Sequence, residues 1–146
     1  MEKPRLIFLC TGNSARSQMA EAFMRKYASD HYEVYSAGLE PKPINPLTVQ
    51  VMQEIGMYIS AQRSKSLNEY LGRLLFEYLI TVCDDAEQNC PTIMVGVRNR
   101  LHWSFEDPAR FVGTDEQKLA KFRHVRDLID VRIKGWLAGQ KIPVTA

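Results

Sequence analysis

The stretch Arg5-Leu-Ile-Phe-Leu-Cys10-Thr-Gly-Asn-Ser-Ala-Arg16 decides how this chain is read. Its first half is bulky and apolar without alternation, the pattern of a strand buried on both faces of a parallel sheet. Thr11-Gly-Asn-Ser14 is a cluster of turn formers, with Gly12 expected to take the unusual backbone angles. Beyond it Met19, Ala20, Phe23, Met24 and Tyr27 recur on one helical face. Strand, tight turn and helix in this order open a βαβ unit.

The rest of the chain repeats the alternation. Glu33-Val-Tyr-Ser36 reads as a second strand, closed by Ala37-Gly38. A proline-bearing loop over 41–46 leads to a helix from about Pro46, with Leu47, Val51, Met52 and Ile55 inward and Gly56 at its end. Residues 58–66 are expected to be a loop, 67–75 a short helix, and 76–83 a third buried strand. The polar stretch 84–96 is expected to be a long functional loop, and 100–105 a fourth strand. A last helix is expected from Thr114 or Asp115 to near Gly139, with Leu119, Phe122, Ile129, Ile133 and Trp136 inward.

This pattern predicts an α/β fold: a four-stranded parallel sheet in the order 2-1-3-4 with helices on both faces. Ligands of such sheets bind outside the carboxyl ends of the strands, where the strand order reverses. Cys10, Cys83 and Asp107 all follow strands and so belong to one rim, with Cys10 and Cys83 on adjacent strand ends.

Composition sets the frame. The 146 residues suit one domain over 1–146, with 45% hydrophobic and 25% charged residues, close to an ordinary globular protein. The longest apolar runs are about five residues against the roughly 20 of a membrane span, and the first residues lack a secretory signal. The expectation is a cytoplasmic protein, acting as a monomer, that binds neither membrane nor nucleic acid. Nineteen basic against seventeen acidic residues give a net charge of +2 without a basic stripe. Three cysteines in a reducing compartment are free thiols, metal ligands or catalytic groups.

Cys10-Thr-Gly-Asn-Ser-Ala-Arg16 has the chemistry of an oxyanion cradle. Consecutive backbone N–H groups of Thr11, Gly12, Asn13, Ser14 and Ala15 make a concave nest, and a helix N-terminus adds positive potential. Arg16 supplies a planar fork for two oxygens of a tetrahedral anion. The same field lowers the pKa of Cys10 and makes it a nucleophile. The competing reading is a buried strand-end cysteine beside a surface arginine. Asp107-Pro108 is a candidate acid, and alone would be a turn initiator.

This loop with Ser17-Gln-Met-Ala-Glu21 resembles the active site of the low-molecular-weight protein tyrosine phosphatase family. The resemblance implies Cys10 as nucleophile, Arg16 as oxyanion ligand and Asp107 as general acid. It also implies that Asn13 shapes the loop and that the Ser17 hydroxyl stabilises the thiolate.

A phosphatase needs one cysteine, because phosphorus leaves by hydrolysis and no electrons move. Here Cys83 adds a thiol at the adjacent strand end and Cys90 another after a polar segment. Thiols in series suit an oxyanion that can itself be reduced, as arsenate can. Cys83-Asp-Asp-Ala-Glu-Gln-Asn-Cys90-Pro91 and His102-Trp-Ser-Phe-Glu-Asp-Pro108 resemble the thioredoxin-coupled arsenate reductases of the phosphatase-like class. The resemblance spans nearly the whole chain. It implies an adduct on Cys10, a first disulfide joining Cys10 and Cys83, a second joining Cys83 and Cys90, and recycling by thioredoxin. The alternative is a low-molecular-weight phosphatase hydrolysing phosphate monoesters, its extra thiols protecting Cys10. A non-catalytic oxyanion-binding or redox-sensing module ranks below both.

No metal or cofactor is expected: one cysteine pair with His102 makes no four-ligand zinc pattern. Three departures from the family stand out. Ala15 replaces a cysteine of some relatives that has no step in a three-thiol scheme. Ala109-Arg110 replaces the tandem tyrosines of the tyrosine phosphatases. Lys65 stands where potassium-binding arsenate reductases carry an aspartate, beside counterparts of their other ligands at Asn13, Glu21 and Ser36. The ammonium of Lys65 either replaces the cation or points to water.

Overall fold

The computed structural model describes residues 2–89 and 96–144. Its centre is a parallel sheet of β1 (Arg5–Cys10), β2 (Glu33–Gly38), β3 (Phe76–Thr81) and β4 (Val97–His102), in the expected order β2-β1-β3-β4. β1 pairs with β2 from Arg5↔Glu33 to Cys10↔Gly38, and with β3 from Leu6↔Tyr78 to Leu9↔Thr81. Leu6, Ile7, Phe8 and Leu9 are all fully buried. Alternate residues of a strand face opposite ways, so both faces of β1 are covered, as its unbroken apolar run requires.

Among the described residues four α-helices accompany the strands: α1 (Arg16–Ala28), α2 (Pro46–Gln53), α3 (Asp84–Asn89) and α4 (Asp115–Gly139). α4 packs on both α1 and α2. α1 buries Met19, Ala20, Phe23, Met24 and Tyr27, the face its periodicity marks. α4 starts with a capping box: Thr114 accepts from the Gln117 N–H, and the Gln117 side chain returns to the Thr114 N–H. It buries Leu119, Phe122, Ile129 and Ile133, and Val125 and Leu137 with them. Trp136 is partly buried, its ring 5.0 Å from Tyr78 and 6.0 Å from Trp103. Among the described residues no helix is long and apolar enough to cross a membrane.

The structure corrects five local expectations. The fourth strand runs from Val97 to His102 rather than over 100–105. It is the sheet edge, only half-buried, so Arg98, Asn99 and Arg100 hide its strand character. Trp103 is buried just past the strand end, where an apolar residue is no guide to pairing. The third strand ends at Thr81, although the Val82 N–H still donates to the Leu9 carbonyl at 2.9 Å. Within 67–75 only Leu67–Glu69 is helical, as a 3-10 turn, and Gly72 at φ +76° takes the chain out of helical geometry. The first part of the segment expected to be a loop is α3, a short polar helix. Ile55 is exposed because α2 ends at Gln53 and the chain turns through Gly56 at φ +79°.

Candidate active site

The loop from Cys10 to Arg16 is shaped by its carbonyls. Those of Cys10, Thr11, Gly12 and Ser14 accept N–H groups of Leu39, Glu40, Lys42 and Asn45 at 2.8–3.1 Å. The Asn13 carbonyl accepts the Gln18 side chain at 2.9 Å. With the carbonyls turned to the segment behind, the loop's N–H groups are left to its concave side. Gly38 makes the backing possible: a Cβ there would lie 2.6 Å from the Thr11 carbonyl. The unusual backbone angle falls on Asn13, at φ 50°, and not on Gly12 as expected.

Asn13 holds that angle with four hydrogen bonds. Its amide donates to Ser17 Oγ at 2.8 Å and Ser36 Oγ at 3.0 Å, and its Oδ1 accepts the Lys65 N–H at 2.8 Å and Gln18 Nε2 at 3.0 Å. Donors and acceptors are both satisfied, which a fully buried amide requires. At the start of α1 the cap position is Ala15, which makes no side-chain cap, and the first turn holds no acidic residue. The positive end of the helix is left facing the cradle.

Cys10 is buried at the end of β1. Its pKa is lowered to about 5, chiefly by a hydrogen bond from Cys83, against burial and with help from the Ser17 hydroxyl, the Arg16 charge and the Asn13 N–H. The Cys83 thiol is pushed up, first by that bond to Cys10 and then by burial; the Thr11 hydroxyl and the Ala86 N–H pull the other way. Thr11 Oγ1 lies 3.5 Å and the Ala86 nitrogen 3.4 Å from Cys83 Sγ. The pair holds a thiolate on Cys10 and a proton on Cys83. Alkylation of Cys10 by iodoacetamide should therefore rise through a midpoint near pH 5, losing rate below it as the thiolate protonates. In Cys83→Ala the midpoint should climb toward the ordinary thiol value of about 8.5; an unmoved midpoint would show that Cys83 does not tune Cys10.

Arg16 Nη1 donates to the Phe105 carbonyl at 3.0 Å, and Nη2 lies 3.6 Å from Asp107 Oδ2. Its Nε is buried and has no protein partner among the described residues, a donor that an oxyanion would satisfy. Asp107 initiates a turn and also lines the cleft. Oδ1 caps the 3-10 turn at the Ala109 N–H, while Oδ2 faces Arg16 and, at 3.7 Å, Arg110. Cys10, Thr11, Gly12, Ser14, Ala15, Arg16, Cys83 and Asp107 line one open cleft of about 1220 Å³. Asn13 and Ser17 are buried beneath it as braces. Cys90 lies outside the described residues. Sequence reasoning missed Lys42 on the cleft rim, Gly38 and the Phe105 carbonyl. Only Gly38, a glycine closing a strand, left a visible signal. Phe105 forms part of the cleft wall and His124 is exposed.

The profile of the low molecular weight phosphotyrosine protein phosphatases matches residues 5–143. The chain belongs to that family. An arsenate reductase of Halalkalibacterium halodurans is 47% identical over 134 residues, covering 92% of this chain and 95% of that protein. A solved arsenate reductase in the phosphate-binding state superposes with a TM-score of 0.76 at 31% identity, covering 95% of this chain and 98% of that one. A thioredoxin-dependent arsenate reductase of Corynebacterium glutamicum gives a TM-score of 0.69 at 31% identity, over 94% of this chain and 61% of its own. The sheet order is the expected one and a solved arsenate reductase superposes on nearly the whole chain, so the fold expectation from sequence holds.

Proposed function

We propose that this protein reduces arsenate to arsenite through a thiol relay of Cys10, Cys83 and Cys90 in the cytoplasm, recycled by thioredoxin. The observation that carries the reading is the second thiol, Cys83, buried with Cys10 in the lining of one oxyanion cleft. The names of the relatives support the same substrate. Ester hydrolysis would have no use for Cys83.

The N–H groups of the loop and Arg16 hold the arsenate oxygens while Cys10 Sγ attacks arsenic(V). Asp107 protonates the departing oxygen, which leaves as water. Cys83 thiolate then attacks Cys10 Sγ; the S–As bond breaks and its electron pair stays on arsenic, releasing arsenite. The product is a Cys10–Cys83 disulfide. Cys90 thiolate next attacks Cys83 Sγ, freeing Cys10 as thiolate. Two electrons and two protons from the thioredoxin dithiol restore Cys83 and Cys90. The order of activation follows from the pair's titration. The Cys10 thiolate is the largest influence holding the proton on Cys83, and forming the adduct removes it.

Cys83 and Cys90 flank α3. In this reading Cys83 leaves Cys10 to pair with Cys90, and α3, which Cys83 directly precedes, opens as it does. Amide hydrogen exchange over 84–89 should be faster in the oxidised protein than in the reduced one; equal protection in both would contradict outward transfer of the disulfide.

We infer that Lys65 takes the place of the cation that the family resemblance implies for some relatives. Lys65 is buried, with Nζ 3.1 Å from both Glu21 Oε1 and Ser36 Oγ, and Arg25 Nη1 lies 2.7 Å from Glu21 Oε2. An ammonium held by two of the counterpart residues supports that reading. Lys65→Ala should cost about 1–3 kcal/mol of stability by leaving Glu21 and Ser36 short of a donor. Lys65→Asp should make turnover depend on potassium over sodium at matched ionic strength. Potassium stimulation of the unaltered protein would refute the replacement.

One assay separates the two activities. Arsenate-dependent NADPH oxidation with thioredoxin and its reductase should be robust beside slow aryl phosphate hydrolysis. Hydrolysis without reduction would make the phosphatase reading correct.

A further inference from the structure

Cys83 is held from both sides along the chain. Two residues before it, Thr81 Oγ1 lies 2.8 Å from His102 Nδ1; one residue after it, Asp84 Oδ1 lies 2.9 Å from His102 Nε2 and accepts Ser104 Oγ at 2.9 Å. His102 ends β4, where it pairs in register with Thr81, and Ser104 follows two residues on, after the buried Trp103, so the donors stand on a fixed frame. Asp84 is the first residue of α3 and is exposed, yet both donors converge on one of its oxygens and hold its carboxyl below the usual carboxylate range. Asp84 and Ser104 also line the cleft, and the Arg16 charge adds to the lowering of the Asp84 carboxyl.

We infer that Asp84 is a latch, closed onto His102 and Ser104, that keeps Cys83 turned toward Cys10 and must open for Cys83 to pair with Cys90. Asp84 is peptide-bonded to Cys83 and is the first residue of α3. When Cys83 withdraws, Asp84 leaves with it, while β4 keeps His102 in place. The bonds exist in the reduced, closed arrangement and are lost in the oxidised one. Asp84 is thus a positioning residue that biases the thiol–disulfide equilibrium toward the dithiol. The inference rests on the relay described above.

The bias is measurable as a potential. Whole protein is equilibrated in graded thiol–disulfide buffers, and the Cys83–Cys90 disulfide is quantified by trapping and peptide mapping. Removing the latch destabilises only the dithiol form, so Asp84→Ala should favour the disulfide about tenfold, a potential about 30 mV more negative. Ser104→Ala, which leaves the first residue of α3 in place, should move it about threefold the same way. Ser104→Ala should add nothing in an Asp84→Ala background, since the shared oxygen is gone. A structural role alone would lower thermal stability of both redox forms and leave the potential where it was. An unmoved potential in Asp84→Ala, or an equal Ser104→Ala effect with and without Asp84, would overturn the latch. If Asp84→Ala does not fold, the threefold shift in Ser104→Ala decides the matter alone. Absence of any Cys83–Cys90 disulfide in the oxidised unaltered protein would be a different failure, that of the relay.

Discussion

Cys10→Ser should lose arsenate reduction and aryl phosphate hydrolysis together, each by at least about 10⁴-fold, the scale seen when an enzyme loses its nucleophile. The reason lies in the environment that lowers the Cys10 thiol to about 5. Cys83, Ser17, Arg16 and the Asn13 N–H stabilise a negative sulfur by several pKa units, but a serine hydroxyl starts far above a thiol and stays protonated. The cradle itself should survive, because Asn13 and the carbonyl contacts to 39–45 do not involve the Cys10 side chain. Phosphate binding by Cys10→Ser, measured by calorimetry, should therefore persist while both activities vanish. Retained hydrolysis in this variant would remove Cys10 from its role.

The second large effect divides the two chemistries. Cys83→Ser and Cys90→Ser should each reduce multiple-turnover arsenate reduction to background while leaving phosphate ester hydrolysis within about tenfold of the unaltered protein. Hydrolysis needs the cradle, Cys10, Arg16 and Asp107, and none of these depends on transfer of a disulfide. Reduction needs a second sulfur to take the first and a third to carry the disulfide away. The two variants should differ in where they stop. Cys83→Ser should accumulate no protein disulfide through Cys10, whereas Cys90→Ser should stop at Cys10–Cys83 after one arsenite per protein.

How much of this was legible in sequence follows from where the functional atoms lie. The cradle was readable because Cys10, its loop and Arg16 are contiguous, and because the apolar run before them has no helical period. Placing Cys83 beside Cys10 needed only the strand order, which the alternation of elements implied. The backing by 39–45 was not readable: it is made of main-chain N–H groups, and any residue but proline presents one. Gly12 drew the unusual angle that Asn13 takes, because a glycine announces freedom while the four bonds holding Asn13 come from Ser17, Gln18, Ser36 and Lys65, scattered over the chain. β4 was displaced by three residues because an edge strand carries arginines and asparagine on its open side. α3 was invisible because five polar residues around a single alanine, Ala86, have no apolar stripe to mark a period.

The most direct test of the account is to add arsenate to the reduced protein with thioredoxin, its reductase and NADPH, and to measure arsenite formed against NADPH consumed. The account predicts one arsenite per NADPH over many turnovers, lost in Cys83→Ser. No arsenate-dependent NADPH consumption, or full coupled turnover in Cys83→Ser, would contradict it.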